Sequence, residues 1–169
     1  MISGWMWDRL HGTATSEDNV YDRSVTSPNK SLAAEYRPTP PLAFKRIMRA
    51  LPVDPSEYTF IDYGSGKGRV LLMASTYGFH RVMGVEFSPD LCSVAARNTK
   101  DRNIEIVCAD ATKYEPPRGN VVAFFYYPFQ RPLMEQVISK LLHPSRQVLF
   151  AAFDPPPAIA ECFRDHGVP

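Results

Sequence analysis

Cysteine, net charge and long apolar runs are all scarce in this chain of 169 residues. Its three cysteines, Cys92, Cys108 and Cys162, are scattered and have no histidine at ligand spacing, so the sequence predicts neither a disulfide framework nor a metal site. We expect them to be small buried apolar residues. A net charge of +1 excludes gross polyanion binding, and nucleic acid is therefore not an expected partner.

No segment of the sequence is apolar for long enough to span a membrane. The longest uncharged apolar run, residues 121–129, is far shorter than the roughly 20 residues that a membrane-spanning helix needs. The first residues include Trp5 and Trp7 but no basic start followed by an apolar core, and Asp8 and Arg9 interrupt them, so no signal peptide is predicted. These features predict a cytoplasmic protein.

Proline is abundant, with 16 residues, and its placement divides the chain. Residues 1–35 lack hydrophobic periodicity and are rich in Ser, Thr, Asn and Asp, which predicts an irregular N-terminal arm over residues 1–39. From residue 40 to residue 169 the pattern sharpens into one domain, and the length of the chain fits a single folded unit.

Short apolar runs alternate with helical patterns from residue 40 onward. The helical patterns have apolar residues at i, i+3, i+4 and i+7, and the runs between them are apolar on both faces. This alternation predicts the α/β class: a doubly wound, mostly parallel sheet of the Rossmann-like type, shortened at its C-terminal end to about five strands. The five predicted strands are residues 58–63, 81–87, 104–108, 121–127 and 147–153.

Three glycines stand on alternate positions where the first predicted strand ends. Gly64, Gly66 and Gly68 follow Asp62 and precede a predicted helix. Glycine lets the backbone turn tightly and approach a ligand closely, and the helix N-terminus favours an anionic group. Because ligands of doubly wound sheets bind beyond the carboxyl ends of the strands, this turn is the predicted ligand site.

The spacing of the turn separates three classes of ligand. A phosphate-binding P-loop is excluded, because Ile61 occupies the position of its first glycine and Gly68 that of its Ser or Thr. A dinucleotide fingerprint is weakened, since Arg69 stands where its last glycine belongs, so an enzyme that uses NAD or a flavin stays an alternative. The D-x-G-x-G-x-G pattern that starts at Asp62 resembles the cofactor turn of class I methyltransferases, which use S-adenosylmethionine (SAM).

Two further strand ends agree with the resemblance to class I SAM-dependent methyltransferases. Glu86 lies 18 residues after Gly68, at the end of the second strand, where an acidic side chain can accept hydrogen bonds from both hydroxyls of a ribose. Asp110 and Ala111 follow the third strand and look like the family's adenine-binding corner. Phe87 would offer a ring face to the adenine.

The resemblance extends to the N-terminal arm and covers residues 7–163. The run Trp7-Asp8-Arg9 and the segment 35–41 look like the leader of an uncharacterised branch that is similar to protein-lysine methyltransferases. By this resemblance Tyr36 and Thr39 lie over the methionine end of the cofactor; the alternative is a connector stiffened by proline. The complete set of predicted cofactor-binding residues is Tyr36, Thr39, Asp62, Gly64, Ser65, Gly66, Gly68, Glu86, Phe87, Asp110 and Ala111.

The fourth strand end departs from the family pattern. The branch usually has Asn-Pro-Phe where this chain has Tyr127, Pro128 and Phe129. An Asn amide accepts hydrogen bonds from an amine and aims its lone pair at the methyl group, whereas tyrosine offers one hydroxyl. We predict these three residues to be catalytic in the transfer of a methyl group to an amine or hydroxyl of a protein or small-molecule acceptor. A SAM-binding protein without catalytic activity is the alternative.

The fifth predicted strand forms an edge of the sheet. Its residues 148–153 are uncharged and include none of the lysines or prolines that discourage strand pairing. We expect either a homodimer through this edge or an N-terminal arm that covers the edge with Trp5 and Trp7.

Overall fold

The computed structural model describes residues 4–16, 29, 31 and 36–168. Its strands are β1 (Thr59–Tyr63), β2 (Arg81–Glu86), β3 (Glu105–Cys108), β4 (Val121–Phe125) and β5 (Val148–Ala152). They form one parallel sheet in the order β3-β2-β1-β4-β5. The strand order reverses beside β1, because the chain moves outward from β1 to β3 and then crosses to β4 on the other side. The doubly wound, five-stranded α/β fold predicted from the sequence is thereby confirmed.

The helices connect and flank the strands. Within the described part of the chain they are α1 (Gly4–His11), α2 (Pro41–Ala50), α3 (Arg69–Ala74), α4 (Pro89–Thr99), α5 (Arg131–Leu141) and α6 (Pro157–Asp165). Four of them, α2, α4, α5 and α6, have proline in their first two positions, where the missing N–H costs no helical hydrogen bond. The N-terminus of α4 is also capped, because the Ser88 hydroxyl accepts a hydrogen bond from Leu91 N at 3.1 Å.

The sheet has an apolar layer on each face. Successive residues of a strand point to opposite faces, and all five residues of β1 are buried. On one face, Phe60 packs with Phe44 of α2 and Phe124 of β4, at ring-centroid distances of 6.0 Å each. On the other face, Ile61 belongs to a cluster that includes residues of α5 and α6. These two layers hold the central strands and so position the residues that follow their carboxyl ends.

The N-terminal arm, predicted to be irregular, contains a helix. The Trp7 ring of α1 is buried, lies 5.2 Å from the Arg69 guanidinium and stacks on His11 at 4.1 Å. The sequence pattern of α1 is hard to recognise because Trp5 and Leu10 are exposed. Since α1 lies beside α3 and α4, on the side of the sheet away from β5, the expectation that Trp5 and Trp7 cover the β5 edge is wrong.

The described residues include neither a membrane-spanning helix nor a cluster of metal ligands. None of the described helices is both long and apolar enough to cross a bilayer. The described His, Cys, Asp and Glu side chains form no cluster of three that could hold a metal ion. Cys92 and Cys162 are buried, but Cys108 is exposed, because it ends the edge strand β3; the prediction that all three are buried is wrong for Cys108.

Candidate functional site

The glycine turn between β1 and α3 is packed on both sides by other segments of the chain. Gly64 and Gly66 have positive φ angles of 75° and 52°. A Cβ atom at Gly64 would lie 2.4 Å from the Cβ of Pro128, and one at Gly66 would lie 2.3 Å from the Tyr36 ring. Any other residue at either position would have to displace its neighbour as well as adopt a left-handed backbone.

A cavity of about 640 Å³ opens beyond the carboxyl ends of β1, β2 and β4. A neighbouring cavity of about 310 Å³ shares Gly64, Phe87 and Phe129 with it. Both volumes include space that is open to solvent, and the shared wall residues join the two cavities into one extended site. Of the predicted site residues, the larger cavity is lined by Tyr36, Thr39, Asp62, Gly64, Ser65, Gly66, Glu86, Phe87, Tyr127, Pro128 and Phe129, and the smaller also by Asp110 and Ala111.

Two predicted site residues, Gly68 and Ser65, differ from the others in their position relative to the cavities. Gly68 caps the N-terminus of α3 with a φ of 84° and lines neither cavity. The Ser65 hydroxyl is buried without a hydrogen-bond partner among the described residues, and it lies 2.6 Å from where a Cβ of Gly84 would be. The Ser65 hydroxyl therefore packs against β2.

Two carboxyl groups, those of Asp62 and Glu86, lie in the wall of the larger cavity, and each residue is 4% exposed. Glu86 Oε2 accepts a hydrogen bond from Gly66 N at 2.9 Å and Oε1 accepts one from Ser88 N at 3.0 Å, so this side chain ties the end of β2 to the turn. Burial raises the pKa of Asp62 well above its ordinary value, and the negative charge of Glu86 raises it further. Because a nearby cation would offset both effects, this wall favours a ligand with positive charge.

The smaller cavity is apolar except at one end. Its apolar surface comes from Val85, Phe87, Ala111, Phe129 and Leu133. At the polar end, Asp110 Oδ1 accepts a hydrogen bond from Thr112 N at 2.9 Å, and Oδ2 accepts one from Asn29 Nδ2 at 2.8 Å. This combination suits a flat ring with a few polar atoms on its edge.

The segment after β4 forms the remaining wall of the larger cavity. Tyr127 has a φ of 45°, a left-handed backbone that costs a non-glycine residue roughly 1–3 kcal/mol. Asparagine tolerates this conformation better than tyrosine does. Tyr127 is 38% exposed, whereas Phe129 is buried between the two cavities. Tyr127 therefore stands where the larger cavity meets solvent.

Several wall residues were not predicted from the sequence. The larger cavity is also lined by Arg37, Pro38, Arg69, Val70, Leu91 and Tyr126, and the smaller by Asn29, Val85, Ala109 and Leu133. Arg69 directly follows the glycine turn, and that position was a usable signal. Asn29 and Leu91 give no comparable signal, because only the folded chain brings their segments to the strand ends.

Comparisons with known proteins connect this geometry to a family. A family model described as a methyltransferase domain matches residues 60–149. No curated protein matches the sequence. Among solved structures, the chain is similar to a SAM-dependent methyltransferase from Leishmania major, with 12% identity, a TM-score of 0.59, and coverage of 75% of this chain and 61% of that one.

Two other solved structures have the same fold. A ribosomal protein L11 methylase from Lactobacillus delbrueckii subsp. bulgaricus has 22% identity and a TM-score of 0.55, with 81% of this chain and 72% of that one covered. The 23S rRNA methyltransferase ErmE has 19% identity and a TM-score of 0.55, with 69% and 48% covered. The chain thus spans less than two thirds of the length of two of these three proteins, and at such identities the likeness shows the fold alone.

The match to the family model identifies the family of the chain, which the similarity of fold alone does not. It covers more than half of the chain and includes the glycine turn, Glu86 and Asp110. The five-stranded parallel sheet is the fold that the resemblance of the sequence implied. The chain belongs to the methyltransferase domain family, in the class I group whose cofactor is S-adenosylmethionine.

Proposed function

We propose that the protein transfers a methyl group from SAM to an amine or hydroxyl of a protein or small-molecule acceptor. The arrangement of the larger cavity supports this most directly. The glycine turn, Asp62 and Glu86 line one part of it, and the segment Tyr127-Pro128-Phe129 lines another. A cofactor bound along the first wall would present its reactive end to the second.

The residues of both cavities fit SAM in charge and shape. Its positive charge suits the buried Asp62 and Glu86, and its ribose needs hydrogen-bond acceptors. Glu86 ends β2 in the wall of the larger cavity, and its carboxylate is the type of group that accepts hydrogen bonds from such hydroxyls. We assign the adenine to the smaller cavity, beside Phe87 and Asp110, and the methionine end to Tyr36 and Thr39.

The residues after β4 would act on the acceptor. SAM supplies a methyl group that is already activated, so the protein has to orient the acceptor and exclude water. Tyr127 stands where an acceptor would enter, and its hydroxyl offers one group for orientation. Pro128 packs on Gly64 and so keeps this wall against the cofactor turn.

We further propose how the chain is organised around this site. Residues 40–169 form the cofactor-binding domain, and residues 1–39 form an arm that completes the site, since Tyr36 lies over Gly66.

Among the described strands β5 pairs with β4 alone, which supports a homodimer through this edge. Light scattering over a concentration series tests the dimer, and a chain that stays monomeric at high concentration would contradict it.

Two measurements test the proposed function. In thermal unfolding, we expect SAM and S-adenosylhomocysteine (SAH) to raise the melting temperature and NAD to leave it unchanged, because only a ligand of the folded state stabilises it. Stabilisation by NAD or a flavin alone would support the rival enzyme class.

Transfer of labelled methyl groups from SAM into a cell lysate then identifies the acceptor class, because the labelled products are separated by size. Glu86→Ala serves as the inactive control. Binding of SAM without transfer to any fraction would favour a SAM-binding protein without catalytic activity.

A further inference from the structure

Asp8 lies in the N-terminal arm, and its buried carboxylate has no role in the proposed function. It is 7% exposed, and it accepts hydrogen bonds from Thr13 Oγ1 at 2.7 Å, Thr15 Oγ1 at 2.6 Å, Thr15 N at 2.9 Å and Ser16 N at 2.7 Å. Burial raises the pKa of Asp8, but hydrogen bonds with the side chains of Ser16, Thr15 and Thr13 and with the backbone of Thr15 outweigh it and bring the pKa below its ordinary value. The charged Asp8 thus holds the residues that follow α1 in one conformation.

Arg69 joins this segment to the glycine turn. Its Nε donates to Thr15 Oγ1 at 2.7 Å and its Nη2 to Ser16 Oγ at 2.6 Å, and Nη2 lies 3.7 Å from Asp8 Oδ1. Arg69 is only 3% exposed and is the first residue of α3, directly after the turn. The arm is therefore bonded to the same segment that shapes the cofactor cavity.

Asn98 of α4 makes a second connection between the arm and the turn. Its Nδ2 donates to Lys67 O at 2.9 Å, and its Oδ1 accepts a hydrogen bond from Ala14 N at 3.2 Å. Two separate side chains, Arg69 and Asn98, thus fix the arm at the same place.

The arm in turn holds Tyr36. The Tyr36 hydroxyl donates to Thr15 O at 2.7 Å, and its ring lies so close to Gly66 that a Cβ there would be 2.3 Å away. The ammonium group of Lys67 lies 5.4 Å from the centre of the same ring. Thr15 therefore contacts Arg69 through its hydroxyl and Tyr36 through its carbonyl oxygen.

We propose that Asp8, Thr15 and Arg69 are positioning residues for Tyr36, and that residues 8–16 form a latch that closes the methionine side of the cofactor site. The inference rests on the proposed function, because it takes the larger cavity to be the SAM site. Without the latch the Tyr36 ring can move away from Gly66, and the cofactor loses one wall of its pocket. The latch thus acts on cofactor affinity.

A double-mutant cycle on the full chain tests the latch. Thr15→Val removes the hydroxyl between Asp8 and Arg69 but keeps the side-chain volume and the carbonyl oxygen, and Tyr36→Phe removes the hydroxyl that bonds to that oxygen. Isothermal titration with SAH gives Kd, and thermal unfolding is followed in parallel. We expect each single variant to raise Kd about 3- to 10-fold. The Kd of the double variant should lie within about twofold of the Kd of whichever single variant binds SAH more weakly, because both substitutions break the same connection. Asp54→Asn, which removes an exposed cap away from the site, should leave Kd unchanged.

Other outcomes would overturn the latch. If the two effects on Kd multiply, Thr15 and Tyr36 act independently. If Thr15→Val lowers the melting temperature while Kd stays within about twofold of the unaltered chain, the arm has only a structural role. If Thr15→Val does not fold, Asp8→Asn takes its place in the same cycle with the same expectations. SAH binding that no variant changes would refute the latch alone, whereas an unaltered chain that does not bind SAH would refute the proposed function and the latch with it.

Discussion

Gly66→Ala is the substitution that most directly tests whether the glycine turn and Tyr36 form one wall of the cofactor site. The added methyl group would lie 2.3 Å from the Tyr36 ring, whereas carbon atoms in contact are about 3.5–4.0 Å apart. The ring therefore has to withdraw by more than about 1 Å. The alanine must also hold a φ of 52°, which costs roughly 1–2 kcal/mol for a residue with a Cβ.

Gly78→Ala is a matched control for the backbone cost. Gly78 has a φ of 79°, and a Cβ there would meet no atom within 4 Å. The difference between the two variants therefore isolates the displacement of Tyr36. That displacement removes the Tyr36–Thr15 hydrogen bond, worth about 0.5–1.5 kcal/mol, and withdraws the ring from the wall of the cavity. A ring contact worth about 1.4 kcal/mol or more to the ligand corresponds to a loss of affinity of about tenfold or more.

Isothermal titration with SAH measures this loss, and circular dichroism measures the folded state. We expect both variants to keep the helical signal and to lose thermal stability, but only Gly66→Ala to weaken SAH binding by about tenfold or more relative to Gly78→Ala. If the two variants bind SAH within about threefold of each other, the idea that Tyr36 and the turn form one wall is refuted.

Three further substitutions probe the two walls of the larger cavity. Glu86→Gln keeps the shape of the side chain without its charge and should weaken SAH binding by about 10- to 150-fold in the same titration; a loss below about threefold would mean that Glu86 serves only to hold the turn. Because the pKa of Asp62 is raised in the folded chain, its contribution to stability is present below the unfolded pKa of about 3.9 and is lost as the pH rises through the folded pKa. Asp62→Asn should therefore raise the melting temperature at pH 7–8, with a gain that vanishes toward about pH 4, and a gain independent of pH would contradict this reasoning. Tyr127→Asn should relieve the left-handed backbone and raise the free energy of unfolding in urea by about 1 kcal/mol, and a less stable variant would show that contacts of the tyrosine outweigh its strain.

The strands could be predicted because burial on both faces leaves a run of apolar residues in the sequence. β4 shows both the strength and the limit of this signal. The prediction placed its end at residue 127, but the strand ends at Phe125. The apolar run continues through Tyr126 and Tyr127, while the backbone becomes left-handed at Tyr127, and hydropathy carries no information on that change.

α1 could not be predicted for a related reason. Only part of this helix is buried, and its exposed Trp5 and Leu10 obscure the apolar face. Its position depends on Arg69, which belongs to another segment of the chain.

By itself, the sequence determined the order of the strands and helices along the chain, because periodicity and turn residues are local properties. That order places the glycine turn, Glu86 and Asp110 on the same side of the sheet, beyond the carboxyl ends of its parallel strands. Only the tertiary structure decided that the Tyr36 ring covers Gly66 and that the Asp8 segment is bonded to Arg69. These contacts join residues far apart in sequence, and they depend on how the side chains pack after the sheet has formed, which no local pattern of residues encodes.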